Sequence, residues 1–182
     1  MLKNTSTQYG ILSISFHWIS VLMVLGLFGV GLWMVDLGLY DTWYKKAPML
    51  HKSVGVVLFV ITVLRFIWVK LNPQPLPPEH SPTWERWAAH LTHILLYFLL
   101  FASMISGYLI STGDGRGIII FNLLELPALP WQFPQQEDIA GQLHEIFTYS
   151  LIALALLHML AAFKHHLIDK DTVLRRMLGR SV

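Results

Sequence analysis

Two histidines, His144 and His158, bracket one apolar stretch, HEIFTYSLIALALLH. On a helix their fourteen-residue spacing separates the rings by ~21 Å, and fourteen steps of ~100° return the second ring to nearly the face of the first. One helix would then present two imidazoles on one side, at two depths. Two further apolar stretches each offer a partner, His17 in ISFHW and His51 in LHKSVG. An ionisable side chain inside a membrane is costly and is a functional hypothesis by default. A lone histidine there more often hydrogen-bonds within the core or relays protons. Four at two matching depths point instead to ligation, with His51 facing His144 and His17 facing His158. The group that takes two axial imidazoles between apolar helices is haem b, and two pairs imply two haems per chain. With both axial positions filled by protein, such a centre passes electrons and does not readily bind oxygen. A dinuclear metal centre is disfavoured, because ~21 Å far exceeds the ~3.5–4 Å of two-metal sites.

The elements that must hold these rings are membrane spans. The 182 residues are 54% hydrophobic and 13% charged, with a mean hydropathy of +0.53. A soluble domain carries about 25% charged residues. A crossing takes about 20 apolar residues, and four stretches qualify: 11–35, 49–71, 88–110 and 143–167. Each must be helical, since lipid offers the backbone no hydrogen-bonding partner. The expected fold is therefore all-α: one transmembrane four-helix bundle over residues 1–182, with haems bound between helices. The first run is too long for a signal peptide, is preceded only by Lys3, and shows no clear small-residue cleavage site, so it reads as a retained span. The chain has no cysteine, which excludes disulfides, iron–sulfur clusters, c-type haem attachment and cysteine–zinc sites. A formal charge of +2 with no basic stripe gives nucleic-acid binding no support.

The connections are punctuated by turn residues. Residues 72–82 are proline-rich, and STGDGRG at 111–117 closes the third span. STGDGRG follows no strand, so it does not read as a phosphate cradle. The longest connection, 118–141, holds IIIFNLLELPALPW, which is too short to cross and reads as an interfacial segment. Nine of the thirteen Lys and Arg residues fall on the side of both termini, and four (Lys45, Lys46, Lys52, Arg116) on the other. The excess marks the cytoplasmic side, so both termini are expected there. His51 and His144 then lie near the outer surface, His17 and His158 near the inner one.

Other residues take supporting roles. Gly55, Thr148, Ala155, Gly26 and Gly29 supply room for a porphyrin. Lys52 and Arg65 stand near the two expected mouths, where haem propionates need cations. His90 and His93 open the third span on the inner side and compete with His17 and His158 as ligands. That span has no outer histidine for a second pair, so His93 is expected to hold a propionate or donate to a quinone carbonyl. His165 and His166 read as interface residues beside Lys164 and Lys170, and His80 as solvated. The tail KDTVLRRMLGR reads as an inner-surface anchor on anionic lipid.

These residues resemble the bacterial cytochrome b561 family, small four-helix di-haem membrane proteins. The likeness rests on ISFHW, LHKSVG, AAHLTHILLYFLLF and the closing HE…LLH…KHHLIDKDTVLRRML. The four-histidine arrangement is also similar to that of the cytochrome b subunits of formate dehydrogenases and hydrogenases. The resemblance implies a multi-pass protein of the bacterial inner membrane, with two b haems on His17, His51, His144 and His158. One family member takes electrons from periplasmic superoxide and gives them to ubiquinone, which implies an oxidoreductase of the superoxide:ubiquinone type. Lys45, Lys46, Lys52 and Arg116 would steer an anion inwards, whereas Glu137 and Asp138 would repel it. Two other classes are carried alongside. One is a membrane relay anchor for a periplasmic redox protein docked on the third connection. The other is a haem-free transporter with a histidine proton relay.

Overall fold

Four helices of 24 to 32 residues run the length of the computed structural model: α1 (Ile11–Met34), α2 (Lys46–Leu71), α3 (Thr83–Ser111) and α4 (Gln136–Leu167). All four are long and apolar enough to cross a membrane. A hairpin of β1 (Ile118–Ile120) and β2 (Leu124–Leu126) precedes α4, and the short α5 (Val173–Met177) follows it. The structure describes residues 1–77 and 81–180; His80 lies outside the described residues.

Helices α2, α3 and α4 begin three to seven residues before the apolar stretches, at Lys46, Thr83 and Gln136. The added turns are polar and lie at helix ends. Glu85 sits in the first turn of α3, and Glu137 and Asp138 in that of α4. Lys164, His165 and His166 occupy the last turn of α4. Acids at the N-terminus and bases at the C-terminus suit the helix dipole, so the helices outrun their hydrophobic spans. The long connection is not wholly irregular. Its apolar piece pairs antiparallel, Ile118 with Leu126 and Ile120 with Leu124. Phe121 and Asn122 turn the chain with φ of 48° and 58°. Left-handed conformations at both central residues match the strand twist, as in primed hairpin turns. The Phe121 backbone N–H donates to Ser53 Oγ of α2 at 3.0 Å, which fixes the hairpin over the end of the bundle away from the chain termini.

Helix α3 packs along α4 and α1 along α2, with α2 and α3 in lighter contact. Helices α1 and α4 meet through long side chains, such as Phe28 against Tyr149 with ring centres 5.5 Å apart. A common register runs through all four helices. At seven-residue steps, α1 carries His17, Val24 and Gly31; α2 carries His51, Leu58 and Arg65; α3 carries His93, Leu100 and Gly107; α4 carries His144, Leu151 and His158. Seven residues rise ~10.5 Å and turn ~20° short of two full turns, so each set lines one face. The middle members form one cluster: Leu58, Leu100 and Leu151 are buried with Val24 against them. Polar groups thus gather in two tiers, separated by a leucine layer.

Hydroxyls in the helices are mostly satisfied locally. Ser20, Ser53, Ser106 and Thr112 each donate to the carbonyl four residues back. At the N-terminus, Asn4 Oδ1 accepts from the Gly10 amide and Ser13 Oγ, and Asn4 Nδ2 donates to the Pro73 carbonyl. Gly10 is required there, since a Cβ would stand 2.3 Å from the Leu2 carbonyl oxygen.

Leu151→Ala should cost about 2 kcal/mol, the low end of the range for buried leucines, because lipid already removes much of the transfer gain and leaves the packing loss. Leu157→Ala, on the exposed face of α4, should cost less than about 0.5 kcal/mol. Unfolding of the detergent-solubilised protein measures both, and equal losses would remove the leucine layer as a packing centre.

Candidate haem sites

The tier at the hairpin end, outer in the expected orientation as the tier at the termini is inner, is built from α2 and α4. The rings of His51 and His144 face each other with centres 6.4 Å apart. His144 Nδ1 lies 2.7 Å from the Ser103 carbonyl oxygen, so it carries the ring proton and donates. Ser106 Oγ lies 3.3 Å from the same nitrogen. Donating Nδ1–H to a backbone carbonyl fixes the tautomer and leaves Nε2 with a free lone pair, the usual support of a metal-ligating histidine. His51 Nδ1 is buried with no hydrogen-bond partner. Room for the rings comes from glycines on the other two helices. A Cβ on Gly31 would lie 3.4 Å from His51 Cε1, and one on Gly107 would lie 3.1 Å from His144 Cε1.

Gly26, Gly29 and Gly55, expected to make room for a porphyrin, face open space: a Cβ at each would meet no neighbouring atom within 4 Å. The signal for Gly31 and Gly107 was available: each lies fourteen residues after a histidine of its own helix, the spacing that joins His144 to His158.

The inner tier holds three histidines and an arginine. His158 packs edge-on against His93, ring centres 5.1 Å apart. Arg65 Nη2 donates to His17 Nδ1 at 3.0 Å and lies over the Tyr97 ring, 5.5 Å from its centre. His17 is within electrostatic reach of both His93 and His158. The four expected ligands therefore fall at two levels, two at each, and His93 joins the inner level.

Their surroundings differ at the two ends. A cavity of about 450 Å³ opens between the end of α1, the start of α2 and the hairpin, lined by Met34, Tyr44, Lys45, Met49, Lys52 and the start of β1. Of the four outer cations, Lys45 and Lys52 line it. Lys46 sits over Trp43, and Arg116 is ion-paired with Asp114. That pairing holds the Asp114 carboxyl below its usual range and raises the Arg116 guanidinium. At the inner end His90 lies on an open apolar groove with Trp87, Leu91 and Ile94. His165 is tied to acids, its Nδ1 2.7 Å from Asp171 and 3.2 Å from Asp169. Lys164 bridges Glu85 of α3 and Asp169 at 2.6 and 2.8 Å. This network anchors the turn after α4, a more specific role than the interface position expected for His165.

The donor set suits haem b: imidazoles paired across helices, one with its second nitrogen committed to a carbonyl, and glycines where the rings pack. The sequence agrees. The family model of prokaryotic cytochrome b561 matches residues 8–180. Cytochrome b561 homolog 2 of Escherichia coli K12 is 49% identical over 179 residues, covering 98% of this chain and 95% of the relative. The probable superoxide oxidase CybB of Yersinia pestis is 30% identical over 182 residues, covering 95% and 97%. Cytochrome b561 homolog 1 of Escherichia coli K12 is 31% identical over 138 residues, covering 71% and 73%.

Gly107→Val should push the His144 imidazole off its packed position, since even a Cβ there is crowded. The expected result is loss of the outer haem with the inner one retained, read as haem per polypeptide. Full retention of both would show that Gly107 does not set the ring's position.

Proposed function

The chain belongs to the prokaryotic cytochrome b561 family, and on that premise we propose that it is a di-haem b cytochrome linking a periplasmic electron donor to the ubiquinone pool. The family binds haem b and is a family of multi-pass bacterial membrane proteins. The observation that carries the reading is the shared register, which sets imidazoles in two tiers on either side of a leucine layer. His51 and His144 hold the outer haem, His17 and His158 the inner one. Bound there, haem supplies one-electron chemistry.

The packing favours His17 over His93 as the inner partner of His158. A flat macrocycle needs a gap between the helices that bear its ligands. Helices α3 and α4 pack along each other, whereas α4 faces α1 and α2 at wider separation. His93 then stands beside the inner haem, within reach of a propionate. Arg65 donates to His17 Nδ1, which leaves the ring proton on Nε2. Ligation through Nε2 requires Arg65 to release Nδ1, which then carries the ring proton, and a propionate is the natural acceptor for the guanidinium. Lys52 serves the outer mouth in the same way. The excess of Lys and Arg at the tier of His17 supports an inner-membrane orientation with both termini in the cytoplasm.

Superoxide is the donor class favoured at the outer end. Lys45 and Lys52 line the cavity at the start of α2, the helix that carries His51, and a relative of similar length carries the name of a probable superoxide oxidase. Glu137, expected to repel an anion, packs over Gly113 within electrostatic reach of Arg116. A second reading, an electron-relay anchor for a periplasmic protein, draws on the apolar residues exposed on the third connection, Leu123, Leu124 and Trp131.

A dithionite-reduced-minus-oxidised spectrum of the purified protein should show two low-spin b haems per chain, and His144→Ala should leave one. A colourless wild type would overturn the reading in favour of a histidine proton pathway. Superoxide should reduce the purified protein alone at low salt. Lys45→Glu should slow that reduction more than Lys46→Glu, because only Lys45 faces the cavity. A wild type inert to superoxide but reduced by a protein donor would favour the relay anchor.

A further inference from the structure

Two partly buried guanidiniums lie at the inner end without a carboxylate partner among the described residues. Arg65 of the inner tier bonds His17 and lies over the Tyr97 ring. Arg176 of α5 donates through Nη1 to the Leu76 carbonyl at 2.7 Å, and its Nε is buried with no hydrogen-bond partner among the described residues. Uncompensated cations away from water are costly, so such a pair calls for an anion.

Both guanidiniums lie within electrostatic reach of one phenol, Tyr9. The chain reverses after α4 at Lys170, with φ of 54°. The tail then returns beneath the helix that carries His17. Trp18 Nε1 donates to the Met177 carbonyl at 2.9 Å, and Gly179 lies beside Ile14. Tyr9 itself stands just before α1. Burial raises its phenol above the ordinary range, and the two guanidiniums pull the other way. The Tyr97 hydroxyl, on the ring beneath Arg65, is likewise buried and unpartnered.

We propose that Arg176 and Tyr9 complete, with Arg65, an oxyanion subsite that receives a propionate carboxylate of the inner haem, so that the C-terminal helix clamps that cofactor. The inference rests on the di-haem reading above. It gives the tail a different role from lipid anchoring: Arg175, its neighbour, is exposed, while Arg176 turns inwards. Loss of the cation leaves a carboxylate uncompensated beside the iron and favours the oxidised, more positive state.

The test uses the full-length purified protein. Haem per chain and a redox titration of the visible bands are measured for wild type, Arg176→Gln, Arg176→Lys and Arg175→Gln, with co-purified anionic phospholipid assayed alongside. Arg176→Gln should shift the inner-haem oxidised-to-reduced ratio about tenfold towards oxidised, equivalent to ~59 mV for one electron. Arg176→Lys, which keeps the charge but loses the fork, should shift it less, and Arg175→Gln not at all. If Arg176→Gln fails to fold, the lysine variant decides: a lowered inner potential supports the clamp, and an unchanged one overturns it. Unchanged haems with less bound phospholipid would assign Arg176 to a lipid phosphate and overturn the clamp. A wild type without two haems would instead overturn the reading beneath it.

Discussion

In a bilayer every polar group that leaves water must find a partner inside the protein, and that requirement organises this chain. Its four helices share one seven-residue register. The polar members of that register are confined to two levels, and the level between is wholly aliphatic. Each level is ~10.5 Å from the leucine layer. A helix displaced by one residue would turn an imidazole or a guanidinium towards lipid, at a cost of several kcal/mol. The register is therefore fixed by the groups that have most to lose from exposure.

The two tiers solve the problem differently. The outer tier is two imidazoles and two glycines. One ring is oriented by a serine carbonyl, and both are seated on backbone that offers no side chain. Such a site holds its ligands in place before anything binds. The inner tier is three imidazoles and an arginine, and its strongest internal bond, Arg65 to His17, joins a ligand candidate to a cation. That bond gives each group a partner without neutralising the cation, and it occupies the nitrogen whose partner decides where the ring proton sits. The inner site is thus arranged around charge compensation, the outer around rigid placement.

Much of this was legible from residue spacing. Lipid removes every secondary structure but the helix, so four apolar runs gave four helices, and the fourteen-residue interval in α4 gave two depths. The inner level was harder to read. His17, His93 and His158 all reach it, and the ring contact seen there joins His158 to His93, across helices that pack along each other. The hairpin was missed because its turn lacks the usual asparagine–glycine pair: Phe121 and Asn122 adopt positive φ, held by the Ser53 hydroxyl from a helix distant in sequence. The role of Gly31 and Gly107 was missed because small residues were sought near the histidines of their own helices. The constraint acts across helices, on rings that approach from α2 and α4.

Apolar contacts discriminate weakly between packings when the surrounding solvent is itself hydrocarbon. Leu58, Leu100 and Leu151 would lose little by facing acyl chains, so the leucine layer fills space without choosing the arrangement. The choice falls to the tiers above and below it, and to the polar stitching at the inner end. There Asn4 joins the N-terminus to the loop after α2, Arg176 joins the tail to the same loop, and Lys164 joins α4 to α3. Residues suited to ligation and residues that specify the fold are then largely the same residues. On this view the histidine tiers need no separate scaffold. The bundle is the arrangement that satisfies them, and a bound anion at the inner end would finish what the protein's own partners leave incomplete at Arg65 and Arg176.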